Sequence, residues 1–93
     1  MSEFKIFETD EFLKRLKKLS SRDATFLRCK LDSFVYPQLR VEPFWGNHIK
    51  KLQGYTPETW RYRIGKFRVF YVVDQKDRIL YMLTVDDRKD AYR

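Results

Sequence analysis

Residues 60–71 read Trp-Arg-Tyr-Arg-Ile-Gly-Lys-Phe-Arg-Val-Phe-Tyr, two alternating runs joined by a Gly-Lys pair. Period-two alternation means half-buried strands, and Gly-X between two such runs signals a two-residue hairpin loop. That loop sets a register: Ile64 opposite Phe67, Arg63 opposite Arg68, Tyr62 opposite Val69 and Arg61 opposite Phe70. One face then carries Trp60, Tyr62, Ile64, Phe67, Val69, Tyr71 and Val73. The other carries Arg61, Arg63 and Arg68 together with Phe70 and Val72, open to solvent or ligand. Two arginines directly opposite one another are unfavourable in a sheet. A face that keeps them has an anion to bind.

The remaining chain is organised around that hairpin. Phe4–Glu8 reads as a short first strand, and Thr9 or Asp10 can cap a helix with Glu11 in its first turn. Phe12, Leu13, Leu16 and Leu19 recur at helical spacing, with Lys14, Arg15, Lys17 and Lys18 on the other side. Ser20-Ser21 breaks the chain. Ala24, Leu27, Leu31, Phe34 and Val35 then form a second apolar stripe, which Pro37 is expected to terminate. Residues 38–47 read as irregular and residues 49–53 as a short strand ended by Gly54. After the hairpin, Asp74-Gln75-Lys76-Asp77 makes a turn. Residues 79–85 are apolar on both faces, as in an interior strand. The expected fold is α+β: an N-terminal strand and a helical hairpin packed on one face of a mostly antiparallel sheet of four to five strands. Residues 1–93 are expected to form one domain.

Charge narrows the function. The net charge is +7, but residues 48–71 hold six basic residues against Glu58 alone, whereas residues 72–93 balance five bases with five acids. Basic excess concentrated on the hairpin and the strand before it points to nucleic acid or another polyanion. No apolar run approaches the roughly 18 residues of a membrane span, and the first residues lack the pattern of a signal peptide. A single cysteine excludes an internal disulfide and fits a reducing compartment. The expectation is a cytoplasmic protein without membrane contact.

Several chemistries are excluded by residue type. Cys29 and His48 make no zinc site by themselves, and three scattered glycines make no phosphate loop. Cys29 falls inside the second helix and reads as a structural cysteine rather than a nucleophile. Arginines and lysines among aromatic residues remain. Such groups clamp phosphates and stack on bases. They can also promote RNA cleavage by the RNA's own 2′-hydroxyl, aligning it and stabilising the charged transition state without metal or cofactor.

Three blocks carry a family resemblance: Lys50-Lys51-Leu52-Gln53-Gly54, the segment 60–71, and Asp87-Arg88-Lys89-Asp90-Ala91-Tyr92-Arg93. Together with the order of elements they resemble the RelE/ParE toxin superfamily of type II toxin–antitoxin systems. The resemblance implies partnership with a cognate antitoxin. In the RelE branch it further implies entry into the ribosome and cleavage of mRNA in the A site. The ParE branch shares the fold but poisons DNA gyrase, and an inactive antitoxin-binding protein is a further alternative. The retained basic residues favour the RelE branch. On this resemblance Arg68 takes the place of the transition-state arginine, Arg88 that of the arginine assisting the leaving group, and Tyr92 that of the tyrosine that orients the substrate. Arg61 and Arg63 match two positions that are lysines in the best-known member. Arginine is a poor general base, so the base falls to a lysine of the Lys50-Lys51 pair, Lys51 foremost, or to Asp87, where many relatives carry histidine. Lys50, Lys51, Lys66 and Lys89 are the expected contacts to the RNA backbone.

Overall fold

Strand β1 (Lys5–Glu8) runs directly into helix α1 (Asp10–Lys18) in a computed structural model that describes residues 3–87. Thr9 is the cap between them. Its Oγ1 accepts from the Phe12 N–H at 3.3 Å and donates to the Met82 carbonyl at 2.7 Å, so one hydroxyl both starts α1 and ties it to the sheet. Ser20 caps helix α2 (Ser21–Lys30) in the same manner, its Oγ accepting from Asp23 N–H at 3.1 Å.

Pro37 does not end the second helical arm. The chain widens into a turn of π-helix at Leu31–Val35, where Tyr36 N–H donates to the Leu31 carbonyl five residues back, and continues as α3 (Tyr36–Val41). Proline lacks an N–H and its ring collides with the carbonyl four residues earlier in a regular helix. The wider turn before Pro37 relieves that conflict, so the helical path continues through the proline. The segment expected to be irregular therefore begins only after Val41.

Five strands form one sheet in the order β1-β5-β4-β3-β2: β2 is Ile49–Lys51, β3 Trp60–Ile64, β4 Phe67–Asp74 and β5 Ile79–Asp86. All pairings are antiparallel except β1 with β5, which is parallel, so the sheet is mixed. Both helical arms cover one face. Phe12 and Leu16 of α1, with Leu27, Leu31, Val35 and Leu39 of the second arm, bury against Tyr62, Phe67, Val69, Tyr71, Leu80 and Met82. Trp60 and Val73 pack at the margin of this core. Cys29, two residues from both Leu27 and Leu31, points away from the core and is exposed rather than structural.

Polar groups lock the layers together. Glu8 of β1 accepts from Arg28 of α2 and from the Tyr36 hydroxyl, while Arg28 also pairs with Asp32 at 3.0 Å. Burial, reinforced by the hydrogen bond to Glu8, raises the Tyr36 pKa, and the same carboxylate raises that of Arg28. Among the described residues, no helix is long and apolar enough to cross a membrane.

Candidate nucleic-acid interface

The β3–β4 hairpin turns on Gly65, whose φ of +59° lies in the left-handed region that favours glycine. The register is the one that the two-residue loop dictates: Arg63 opposite Arg68, Tyr62 opposite Val69, Arg61 opposite Phe70. Residues opposite one another in an antiparallel pair share a face. On the far side of β3, Lys50 stands opposite Arg61. Lys50, Arg61, Arg63 and Arg68 therefore project from the sheet face that the helices leave uncovered.

The adjacent residues separate. Lys51 stands opposite Trp60, which belongs to the helix-packed face, and its Nζ lies 2.9 Å from Glu58 Oε2. The two lysines, neighbours in sequence, thus point to opposite sides of the edge strand. Lys66 at the hairpin tip is also drawn from the arginine face, with Nζ 3.4 Å from Asp23 Oδ2 and 5.3 Å from the Phe67 ring centroid.

Strand β5 contributes a residue that sequence reading missed. Leu80 and Met82 face the core, and so does Val85, an odd step made possible by a bulge where β4 passes from Phe70 to Tyr71. Phe70 pairs with Thr84, and Tyr71 with Met82, leaving Leu83 as the extra residue. The bulge flips the alternation beyond it and sets Asp86 directly opposite Arg68. Asp87, the expected candidate, is exposed after the end of β5. A run apolar on both faces carries no parity signal, so nothing in the sequence distinguished the two aspartates. Arg88, Lys89 and Tyr92 lie outside the described residues.

Phe70 is not open to ligand. It is 6% exposed and lines a cavity of about 210 Å³ with Leu52, Tyr55, Thr59 and Thr84. The loop between β2 and β3, closed by Leu52 N–H donating to the Thr59 carbonyl at 2.9 Å, meets it there. Val72 is half-buried. The exposed face is thereby divided into an apolar margin at Phe70 and a cationic strip from Lys50 to Arg68. Two hydroxyls anchor the floor beneath: Tyr71 donates to the Pro43 carbonyl at 2.6 Å and Tyr62 to Gln38 Oε1 at 2.7 Å. Burial raises the pKa of both phenols, and for Tyr71 the nearby Tyr62 and Glu42 add to it.

Chemically, the strip offers guanidinium forks that match phosphate oxygens and one carboxylate, Asp86, in register with Arg68. Known proteins agree with this architecture. The candidate toxin RelE1 of Methanocaldococcus jannaschii is 49% identical over 45 residues, 48% of this chain and 49% of the relative. The match thus spans about half the length of that relative. The toxin–antitoxin complex RelBE2 of Mycobacterium tuberculosis superposes with a TM-score of 0.72 at 23% identity, covering 92% of this chain and 99% of the other. The archaeal RelE–RelB complex of Pyrococcus horikoshii gives 0.70 at 23% identity, covering 96% and 99%. At these identities the two structures speak for the fold. Residues 6–92 match the family described as the ParE toxin of type II toxin–antitoxin system, parDE. With that match across nearly all of its length, the chain belongs to the ParE toxin family of type II toxin–antitoxin systems, within the RelE/ParE superfamily.

Proposed function

We propose that this protein is the toxin of a RelBE-like pair, a cytoplasmic ribosome-dependent endoribonuclease that cuts mRNA in the A site and is held inactive by a cognate antitoxin. The observation that carries this reading is the cationic strip: Lys50, Arg61, Arg63 and Arg68 in register on one uncovered sheet face. In the reaction the 2′-hydroxyl oxygen attacks the adjacent phosphorus as the bond to the 5′-oxygen breaks. The products are a 2′,3′-cyclic phosphate and a 5′-hydroxyl, the departing 5′-oxygen taking its proton from water. Arg61 and Arg63 clamp the phosphate, and Arg68 faces the charge that grows on its oxygens in the transition state. Arg88 assists the departing oxygen and Tyr92 orients the substrate. The proton of the 2′-hydroxyl passes to the Asp87 carboxylate or to Lys51 in its neutral amine form. Lys51 would first have to leave Glu58, and Asp86, opposite Arg68, is a third acceptor on the same face.

Induction without antitoxin should arrest growth and leave new 5′ ends within translated codons, mapped by primer extension. Arg68→Ala should abolish those ends while the far-ultraviolet dichroism stays unchanged. Cutting by Arg68→Ala at the wild-type rate would remove Arg68 from the mechanism. A second reading is favoured by the family match itself, whose description is that of ParE toxins. A gyrase inhibitor would leave mRNA intact and block supercoiling in the same preparation.

A further inference from the structure

We propose that Trp45 is a stacking platform for an unpaired RNA base, extending the cationic strip around the edge of the sheet. The proposal rests on the RNA-binding reading above and adds a site to it. Trp45 is 79% exposed, more than any other large apolar side chain among the described residues. Its exposure is built in by its neighbours. The Pro43 carbonyl accepts from the buried Tyr71 hydroxyl, and the Phe44 ring packs on Trp60 with centroids 5.1 Å apart. On the other side, the Gln38 side-chain amide of α3 packs against Gly46, where a Cβ would fall 2.5 Å from its Nε2. With residues 43 and 44 held against the core, the indole stands out toward solvent.

The surroundings name the ligand. Trp45 lines a cleft of about 420 Å³ with Lys50, Lys51 and Trp60, and no carboxylate lines it. Lys50 belongs at once to this cleft and to the face of Arg61, so it links the arginines to the indole. An aromatic face beside a lysine suits a nucleotide: the base stacks on the indole and the phosphate meets Lys50, while the Lys51 ammonium stays paired with Glu58. Every base has a π-face, so the site would hold a nucleotide with little sequence preference.

Oligonucleotide titrations at low salt test this without involving cleavage. The probes are an eight-nucleotide oligoadenylate and an abasic oligomer of equal length and charge. In a Trp60→Phe protein, where Trp45 is the remaining tryptophan, the oligoadenylate should quench the fluorescence and the abasic oligomer should not. Trp45→Ala should weaken oligoadenylate binding by roughly 5- to 150-fold, and Trp45→Phe by much less. The salt dependence of binding should stay unchanged in both, because the phosphate contacts remain. Equal quenching by the two oligomers, or a Trp45→Ala protein within twofold of wild type, would overturn the proposal and leave the indole to a protein partner. If neither oligomer binds the wild-type chain, the RNA-binding reading itself fails and this site fails with it.

Discussion

Arg63 and Arg68 stand directly opposite one another on neighbouring antiparallel strands, on the face that the helices leave open. Like charges in that relationship cost stability. Arg63→Thr, which keeps a good strand former and removes one charge, should raise stability by about 0.2–1 kcal/mol. The same change should weaken oligonucleotide binding and lower the salt slope by about 0.7, one phosphate contact to a single strand. Urea midpoints and a salt series check the two halves. A variant that is neither more stable nor weaker in binding would show that the pair is indifferent to charge.

Asp86 offsets part of that repulsion from the opposite flank of Arg68. Asp86→Asn should cost about 0.2–1 kcal/mol of stability, as expected for an opposite-charge cross-strand pair. It should also tighten non-specific oligonucleotide binding, because the cationic strip loses the carboxylate opposite Arg68. Asp87→Asn, beyond the end of β5, should leave stability within about 0.5 kcal/mol of wild type. Equal effects of the two substitutions would contradict the bulged register of β5.

Gly65 turns the hairpin with a φ of +59°. Gly65→Ala should destabilise by roughly 1–2 kcal/mol, because the left-handed conformation sets Cβ against the following carbonyl. Space is not the cause, since a Cβ there would meet only the Phe26 ring at 3.8 Å. Gly65→Asn should cost less, asparagine being tolerant of this conformation. Thermal melts of the two variants distinguish them.

Stability should fall on the alkaline side. Burial raises the pKa of Tyr36, Tyr62 and Tyr71 above the ordinary phenol value of about 10. Above that pH the unfolded chain releases protons that the folded chain retains, so unfolding becomes more favourable as pH rises. The contribution is fully present below about pH 10 and is lost as pH climbs toward the folded values, by up to about 1.4 kcal/mol per pH unit for each phenol. Urea midpoints at pH 9, 10 and 11 read the slope. Tyr71→Phe should be less stable at pH 8, having left the Pro43 carbonyl without its donor, yet lose less stability between pH 10 and 11.

The arginine hairpin was legible in residues 60–71 down to its pairings, because a two-residue loop and a period of two are local properties. The helical hairpin and its apolar stripes were equally plain, although Pro37 was misread as a terminator when the turn before it simply widens. The site was less transparent. Phe70 sits on the face expected to be open, and the β2–β3 loop, Arg15 of α1 and strand β5 close around it. Lys50 and Lys51 look like one basic pair until strand pairing assigns them to opposite faces.

By itself, then, the amino-acid sequence determined the α+β class, the register of β3 with β4 and the placement of Arg61, Arg63 and Arg68 on one face. Tertiary structure decided which aspartate meets Arg68, which lysine joins the arginines, and why Trp45 stands in solvent. The physical reason is range. Turn chemistry and alternation act between residues a few positions apart. A bulge opposite a distant strand, an edge strand's facing and a backbone pinned by a remote tyrosine arise only from contacts that folding brings together.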